Sequence, residues 1–329
     1  MWRGLPLFLA ATALCLPAQA VAGAPSPADW LGRMSASLHT ESYHGTFVLQ
    51  RGHRIDSIRV IHAADGDGYR ERLETLTGPE REILRSVEHV GAMKGAQVTS
   101  DEAGQGAPHW PAGGAPVHLL DDHDFYVLET QGSDRVAGYS CKLILARAVD
   151  SARYSHRYCL HSASALPLLS ELYDPRGRLL ERLAFTSLEL VDEVAAADLE
   201  PTREDAEHIR VRAGGGHLKP DWDEETGLAG WHFRELPGGF RTIAASERSI
   251  GESGLTSRHF VLSDGLASIS VYVEPVDGDR TFEGATRAGA THAVARVLGG
   301  HQVTAVGDAP VETVKRVIGS VAHHPDSDD

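Results

Sequence analysis

The spacing of apolar residues changes period along this chain, and the changes divide it into elements. Ser26-Pro27-Ala28-Asp29 reads as a helix start, with a serine cap, proline at the first helical position and an acid three residues after the cap. Trp30, Leu31, Met34 and Leu38 then recur at helical spacing, so this helix has one apolar face to bury. From Tyr43 the period becomes two. Thr46–Arg51 and Arg54–His62 alternate around Gly52-His53, which predicts a hairpin. Asp65-Gly66-Asp67-Gly68 is a turn, and strand-like stretches continue near 69–76, 81–90 and 124–130. Two further strands carry Cys141 and Cys159, and Leu166–Tyr173 and Arg178–Leu190 form a hairpin around Asp174-Pro175-Arg176-Gly177. The picture is a long run of adjacent antiparallel strands after one helix. Residues 101–117, rich in Gly and Pro, form a loop.

A flexible break, Gly214-Gly215-Gly216, follows a charged stretch at Glu200–His208. Beyond it, strand-like segments lie near 231–235, 240–249, 257–263 and 266–274, with Asp264-Gly265 as a hairpin turn. Small residues at 285–298 are expected to form a helix, followed by a strand at 302–307. Pro310 opens a last helix carrying Val311, Val314, Val317, Ile318 and Val321 at helical spacing, and 323–329 is a polar tail expected to fray. The expected division is 23–210 for a large domain, 211–219 for a linker and 220–322 for a small domain.

The chain has 329 residues, 42% hydrophobic and 23% charged, which argues for two globular domains rather than disorder. Its first 22 residues differ from the rest. Arg3 supplies a positive start, Leu5–Leu16 an apolar run too short to span a bilayer, and Ala18–Ala22 small residues suited to cleavage after Ala22 or Ala20. Residues 1–22 are therefore expected to be a secretory signal peptide, giving a soluble exported protein. Its removal takes away Cys15 and, with Arg3, moves the formal charge from −15 to −16. So acidic a chain is poorly suited to nucleic acid, whose binding rests on neutralising phosphates. The two cysteines left, Cys141 and Cys159, lie on strands flanking a turn centred near Asp150. Export and this register together predict a disulfide.

Catalytic signatures are absent. Gly251-Glu252-Ser253-Gly254 falls one residue short of a nucleophile elbow, and there is no Walker loop, dinucleotide fingerprint, HExxH or CxxC. His118, Asp121, Asp122, His123 and Asp124 form the densest group of possible metal ligands, but their spacing matches no defined site and reads as a charged loop; no metal and no cofactor are expected. His323-His324 offers at most adventitious metal binding. An exported antiparallel sheet with no catalytic motif points to a binding module. A hydrolase would need convergent acid, base or nucleophile groups in one pocket. Phe47 and Leu49, Ile58 and Val60, Leu143 and Leu145 (on the face of Cys141), and Leu183 and Phe185 each share a strand face. Together they are candidates for an apolar cavity, with a packed core as the alternative. Arg51, Arg54 and Arg59 are candidates for its phosphate-binding rim.

Several segments, in order, resemble the RseB/MucB family. They include Trp30-Leu31 to Met34, Ser42-Tyr43-His44-Gly45-Thr46-Phe47-Val48, Ile58-Arg59-Val60-Ile61-His62, Val136-Ala137-Gly138-Tyr139, Arg153-Tyr154 and Leu166-Pro167-Leu168. In the second half the likeness continues at Leu236-Pro237-Gly238-Gly239-Phe240, Val271-Tyr272-Val273-Glu274-Pro275 and Val303–Pro310. The resemblance implies an α+β protein with a large LolA-like half-barrel of antiparallel strands covered by helix or loops, and a smaller α/β C-terminal domain. It implies a periplasmic negative regulator of the sigma-E envelope stress response and not an enzyme. Its partner would be the periplasmic region of an anti-sigma factor of the RseA/MucA type, shielded from regulated proteolysis and released by lipopolysaccharide or a related lipid. The small domain would take a major part in that binding, with self-association left open. The alternative is a LolA-like periplasmic lipoprotein or lipid carrier.

Overall fold

The computed structural model describes residues 24–66, 68–89, 96–97, 125–213, 227–250, 255–276 and 281–324. The signal segment, the 101–117 loop and the His118–Asp124 group fall outside these residues. Helix α1 (Pro27–Ser37) starts as its sequence dictates. The Ser26 hydroxyl accepts the Asp29 backbone N–H, and the Asp29 carboxylate accepts the Ser26 N–H in return. Trp30, Leu31 and Met34 are buried on its apolar side.

Eleven strands follow in one sheet: β1 (Ser42–Arg51), β2 (Arg54–Ala64), β3 (Gly68–Thr75), β4 (Glu82–His89), β5 (Ala96–Gln97), β6 (Tyr126–Val136), β7 (Tyr139–Ala148), β8 (Ser155–His161), β9 (Pro167–Tyr173), β10 (Leu179–Val191) and β11 (Glu207–Ala213). Their order across the sheet is β5-β11-β4-β3-β2-β1-β10-β9-β8-β7-β6. Two meanders join where β1 meets β10, and there Phe47 lies opposite Phe185 and Leu49 opposite Leu183. One pairing departs from the expected antiparallel run: β11 lies parallel to β4, with Glu207 opposite Ile83. The buried Glu82 carboxylate accepts the Thr202 and Arg203 N–H groups and the Thr202 hydroxyl, which turns the chain back along β4. β11 thereby runs to Ala213, three residues into the stretch expected to be linker.

The second half forms a six-stranded sheet and a two-stranded ribbon. They are built from β12 (Trp231–Phe233), β13 (Arg241–Ile250), β14 (Leu255–Ser263), β15 (Ser268–Pro275), β16 (Gly284–Ala288), β17 (Thr291–Leu298), β18 (His301–Gly307), helix α2 (Val311–Ser320) and β19 (Val321–His323). The large sheet runs β13-β14-β15-β18-β17-β16, and β12 pairs with β19. The expected helix at 285–298 is instead the β16–β17 hairpin. Alanines favour a helix locally, but the turns decide otherwise. Gly299 and Gly300 have φ of 56° and 75°, and Leu298 lies opposite His301, the geometry of a two-residue hairpin loop. Gly289, at φ 65°, closes the preceding turn. α2 buries Val314, Val317 and Ile318 in the core of this domain. The start of the polar tail is also fixed: His323 pairs with Trp231, and the His324 N–H donates to the Gly230 carbonyl.

Candidate functional site

The face of the large sheet that meets α1 carries most of the residues expected to line a cavity. Phe47, Leu49, Ile58, Val60, Leu183 and Phe185 are all 3% exposed or less and belong to one cluster with Trp30, Leu31, Met34 and Leu38. They form a filled core with the helix as its cover. Burial at this density is stabilised by roughly 1.5–3 kcal/mol per large side chain, so the face opens only if something equally apolar replaces the helix.

Leu143 and Leu145 are placed differently, although Leu143 still packs against this cluster. They share the face of Cys141, as expected, but that is the sheet's other face. Ile144 and Ala146 alternate with them and point to the side of Tyr158 and Leu183. Both leucines are half-buried, and Leu145 lines an open groove on the outer side. The disulfide Cys141–Cys159 is present, with Cα atoms 5.3 Å apart. Its register differs from the expected one by two residues: Cys159 faces Leu143 and Cys141 faces His161, so the bridge runs diagonally. The three candidate rim arginines each have an acidic partner. Arg51 pairs with Glu181 at 2.7 Å, Arg54 with Asp56 at 2.8 Å and Arg59 with Glu74 at 2.6 Å.

The end of α1 is held by a polar network that the sequence did not disclose. His62 is fully buried, its Nδ1 2.9 Å from the Glu71 carboxylate and its Nε2 2.8 Å from the Leu38 carbonyl just past the helix. Arg85 donates to the other Glu71 oxygen at 3.1 Å. Burial alone would push the Glu71 carboxyl up, but the hydrogen bond from His62 and the Arg85 charge outweigh it and hold the group below the usual carboxylate range. Both His62 nitrogens lie within hydrogen-bond distance of an acceptor oxygen. Tyr43 and Tyr69 stack on the ring, at 4.7 and 4.8 Å. Two acceptors and two aromatic faces fix one orientation of His62 and, through it, the point where α1 leaves the sheet.

The two domains meet at a second network. Arg153, wholly buried, donates to Asp264 at 2.6 Å, to the Gly238 carbonyl at 2.5 Å and to Asp150 at 3.0 Å. The Tyr126 hydroxyl donates to the same Asp264 oxygen at 3.1 Å, and the guanidinium lies over the Phe125 and Phe240 rings. Next to it the Thr313 hydroxyl of α2 donates to the Ala152 carbonyl at 2.7 Å. Gly289 meets the stem of Arg51: a Cβ at that glycine would lie 3.0 Å from it, so Arg51 serves the junction as well as its ion pair. Among the described residues no group of three or more His, Cys, Asp and Glu is placed to hold a metal ion, and no helix is long and apolar enough to cross a membrane. His323 and His324 stack on Trp231 and His232.

This plan, a large sheet covered by an N-terminal helix and joined to a smaller sheet domain, matches one family over both parts. Residues 26–203 match the model of the MucB/RseB N-terminal domain, and 225–322 that of the C-terminal domain. The chain belongs to the MucB/RseB family. It is 29% identical over 323 residues to the sigma factor AlgU regulatory protein MucB of Pseudomonas aeruginosa, covering 96% of each chain. It is 26% identical over 324 residues to the sigma-E factor regulatory protein RseB of Haemophilus influenzae, covering 97% of this chain and 99% of that one. The crystal structure of MucB in complex with MucA(peri) superposes with a TM-score of 0.64 at 28% identity, covering 91% of this chain and 99% of that chain. The family's relatives are thus regulatory proteins of sigma factors, and its N- and C-terminal domains correspond to the two sheets described above.

Proposed function

We propose that this chain is an exported, periplasmic negative regulator of a sigma-E (AlgU-type) envelope stress response and acts by binding rather than by catalysis. It holds the periplasmic region of a MucA/RseA-type anti-sigma factor and shields it from regulated proteolysis. The observation that carries this reading is the full-length likeness to MucB, a protein seen in complex with MucA(peri). Lipopolysaccharide or a related lipid releases the partner. The acyl chains replace Trp30, Leu31 and Met34 of α1 on the Phe47–Leu183–Phe185 face, because that face is apolar and extensive and, among the described residues, is closed by a single helix. The direct test is to incubate a MucA-type periplasmic fragment with the envelope protease that cuts it, with and without the mature chain. Protection that lipopolysaccharide abolishes supports the proposal. Equal cleavage in both cases removes it.

A further inference from the structure

On the outer side of the large sheet, the side opposite the α1 face, lies a groove of about 690 Å³. Its walls are the outward side chains of β7 and β8 and two turns, the one after β7 and the one after β9. Leu145, Val149 and Pro175 make an apolar strip along it, and Val149 is 51% exposed. Ser151 and Tyr173 edge the strip.

The charges of the groove are unequally satisfied. Asp150 accepts two bonds from Arg153, and Asp174 accepts from the backbone N–H groups of Arg176 and Arg178 and from the Arg178 guanidinium. Glu171, beneath them, accepts from Tyr173 and from Arg182. Arg157 is different. Its Nε lies 3.4 Å from Glu171 without hydrogen-bond geometry, and its terminal nitrogens have no hydrogen-bond partner among the described residues. The groove therefore presents a guanidinium with open donors beside an exposed apolar strip, while its carboxylates are already occupied. A planar donor fork of this kind is met best by a carboxylate. Arginine and tyrosine are also enriched at protein-binding surfaces. Asp150 ties the groove to the domain junction, since it also holds Arg153, and the neighbouring Ala152 carbonyl accepts from Thr313 of the small domain.

We propose that this groove binds an acidic segment of the anti-sigma partner, a carboxylate side chain pairing with Arg157 and an adjacent apolar side chain covering Val149 and Leu145. The inference rests on the function proposed above and places part of the partner on the large domain, against the turn that carries the small one.

The test uses the mature full-length chain and a MucA-type periplasmic fragment, with affinity measured by titration calorimetry at two salt concentrations. Arg157→Glu is expected to weaken binding at least about tenfold at low salt and to flatten the salt dependence. Arg135→Glu, near the end of β6, is the charge-matched control and should stay within about twofold of the parent. Val149→Asp adds an anion at an exposed position, so its expected loss of affinity does not depend on how Arg157→Glu folds. Replacing the matching acid of the fragment by Lys should restore binding to Arg157→Glu. If both groove variants stay folded and bind like the parent, the groove assignment is wrong and the proposed function stands. If the parent itself fails to bind the fragment, both fall.

Discussion

Arg153 of the large domain and Asp264 of the small domain form an ion pair of 2.6 Å with both side chains entirely buried. Burial pushes the Asp264 carboxyl up despite the Arg153 charge and the hydrogen bonds from Ala267, Leu266 and Tyr126. The pair is thus costly to desolvate and costly to break. Removing one member should destabilise the junction by about 3–5 kcal/mol, whereas replacing both by apolar residues of similar size should be far milder. Arg153→Ala is therefore expected to lower the urea midpoint strongly and Arg153→Met/Asp264→Leu only slightly. Small-angle scattering should show looser domains in the single variant.

Acid should weaken the fold through two histidines. Burial lowers the His156 imidazole to about 4 and that of His259 to about 4. A base depressed on folding contributes stability that is intact above its unfolded value near 6.5 and is lost as pH falls toward the folded value. The predicted window is therefore pH 6.5 down to about 4, on the order of 3 kcal/mol for each group. Glu71, also depressed, adds a further loss below the usual carboxylate range. Thermal melts across this range should fall steeply, and less so in His156→Phe.

The disulfide closes a loop across 18 residues of sequence, for which the chain-entropy model gives about 3 kcal/mol. Cys141→Ser/Cys159→Ser should lose about that much in denaturant titration. Reductant should shift the parent toward the variant and leave the variant unchanged.

If α1 is the element that lipid displaces, weakening its start should sensitise release. Ser26→Ala removes the hydroxyl that accepts the Asp29 N–H and donates to the Asp29 carboxylate, at about 1 kcal/mol, and leaves the backbone half of the box in place. It should let lipopolysaccharide release a MucA-type fragment at a several-fold lower concentration, read by fluorescence anisotropy. An unchanged release curve in a variant of normal secondary structure would remove α1 from the mechanism.

What the sequence disclosed was local. The Ser26–Asp29 box, the Gly52 hairpin and the α2 stripe depend on neighbours within a few residues, and each stands where its pattern predicts. The cysteine pair was legible too, but its register was two residues off because the turn between the strands is displaced from its arithmetic centre. At 285–298 the small residues favour a helix locally, but the Gly299-Gly300 turn decides for a hairpin. The other misses are non-local. β11 is placed by Glu82, about 120 residues upstream, and Arg153 finds Asp264 across 111 residues; neither leaves a periodic signature. Alternation marks the apolar faces of β1, β2 and β10, but alone it does not tell a cavity from a core that a helix has filled.

In the function proposed above, binding of an anti-sigma segment is coupled to binding of lipid. The coupling must be reciprocal, because each ligand changes the other's affinity by the same factor. Calorimetric titration of a MucA-type periplasmic fragment into the mature chain, with and without saturating lipopolysaccharide, and of lipid with and without fragment, measures both halves. Tight fragment binding that lipid weakens at least about tenfold, with an equal loss in the reverse titration, is the expected result. Fragment affinity unaltered by bound lipid would contradict it.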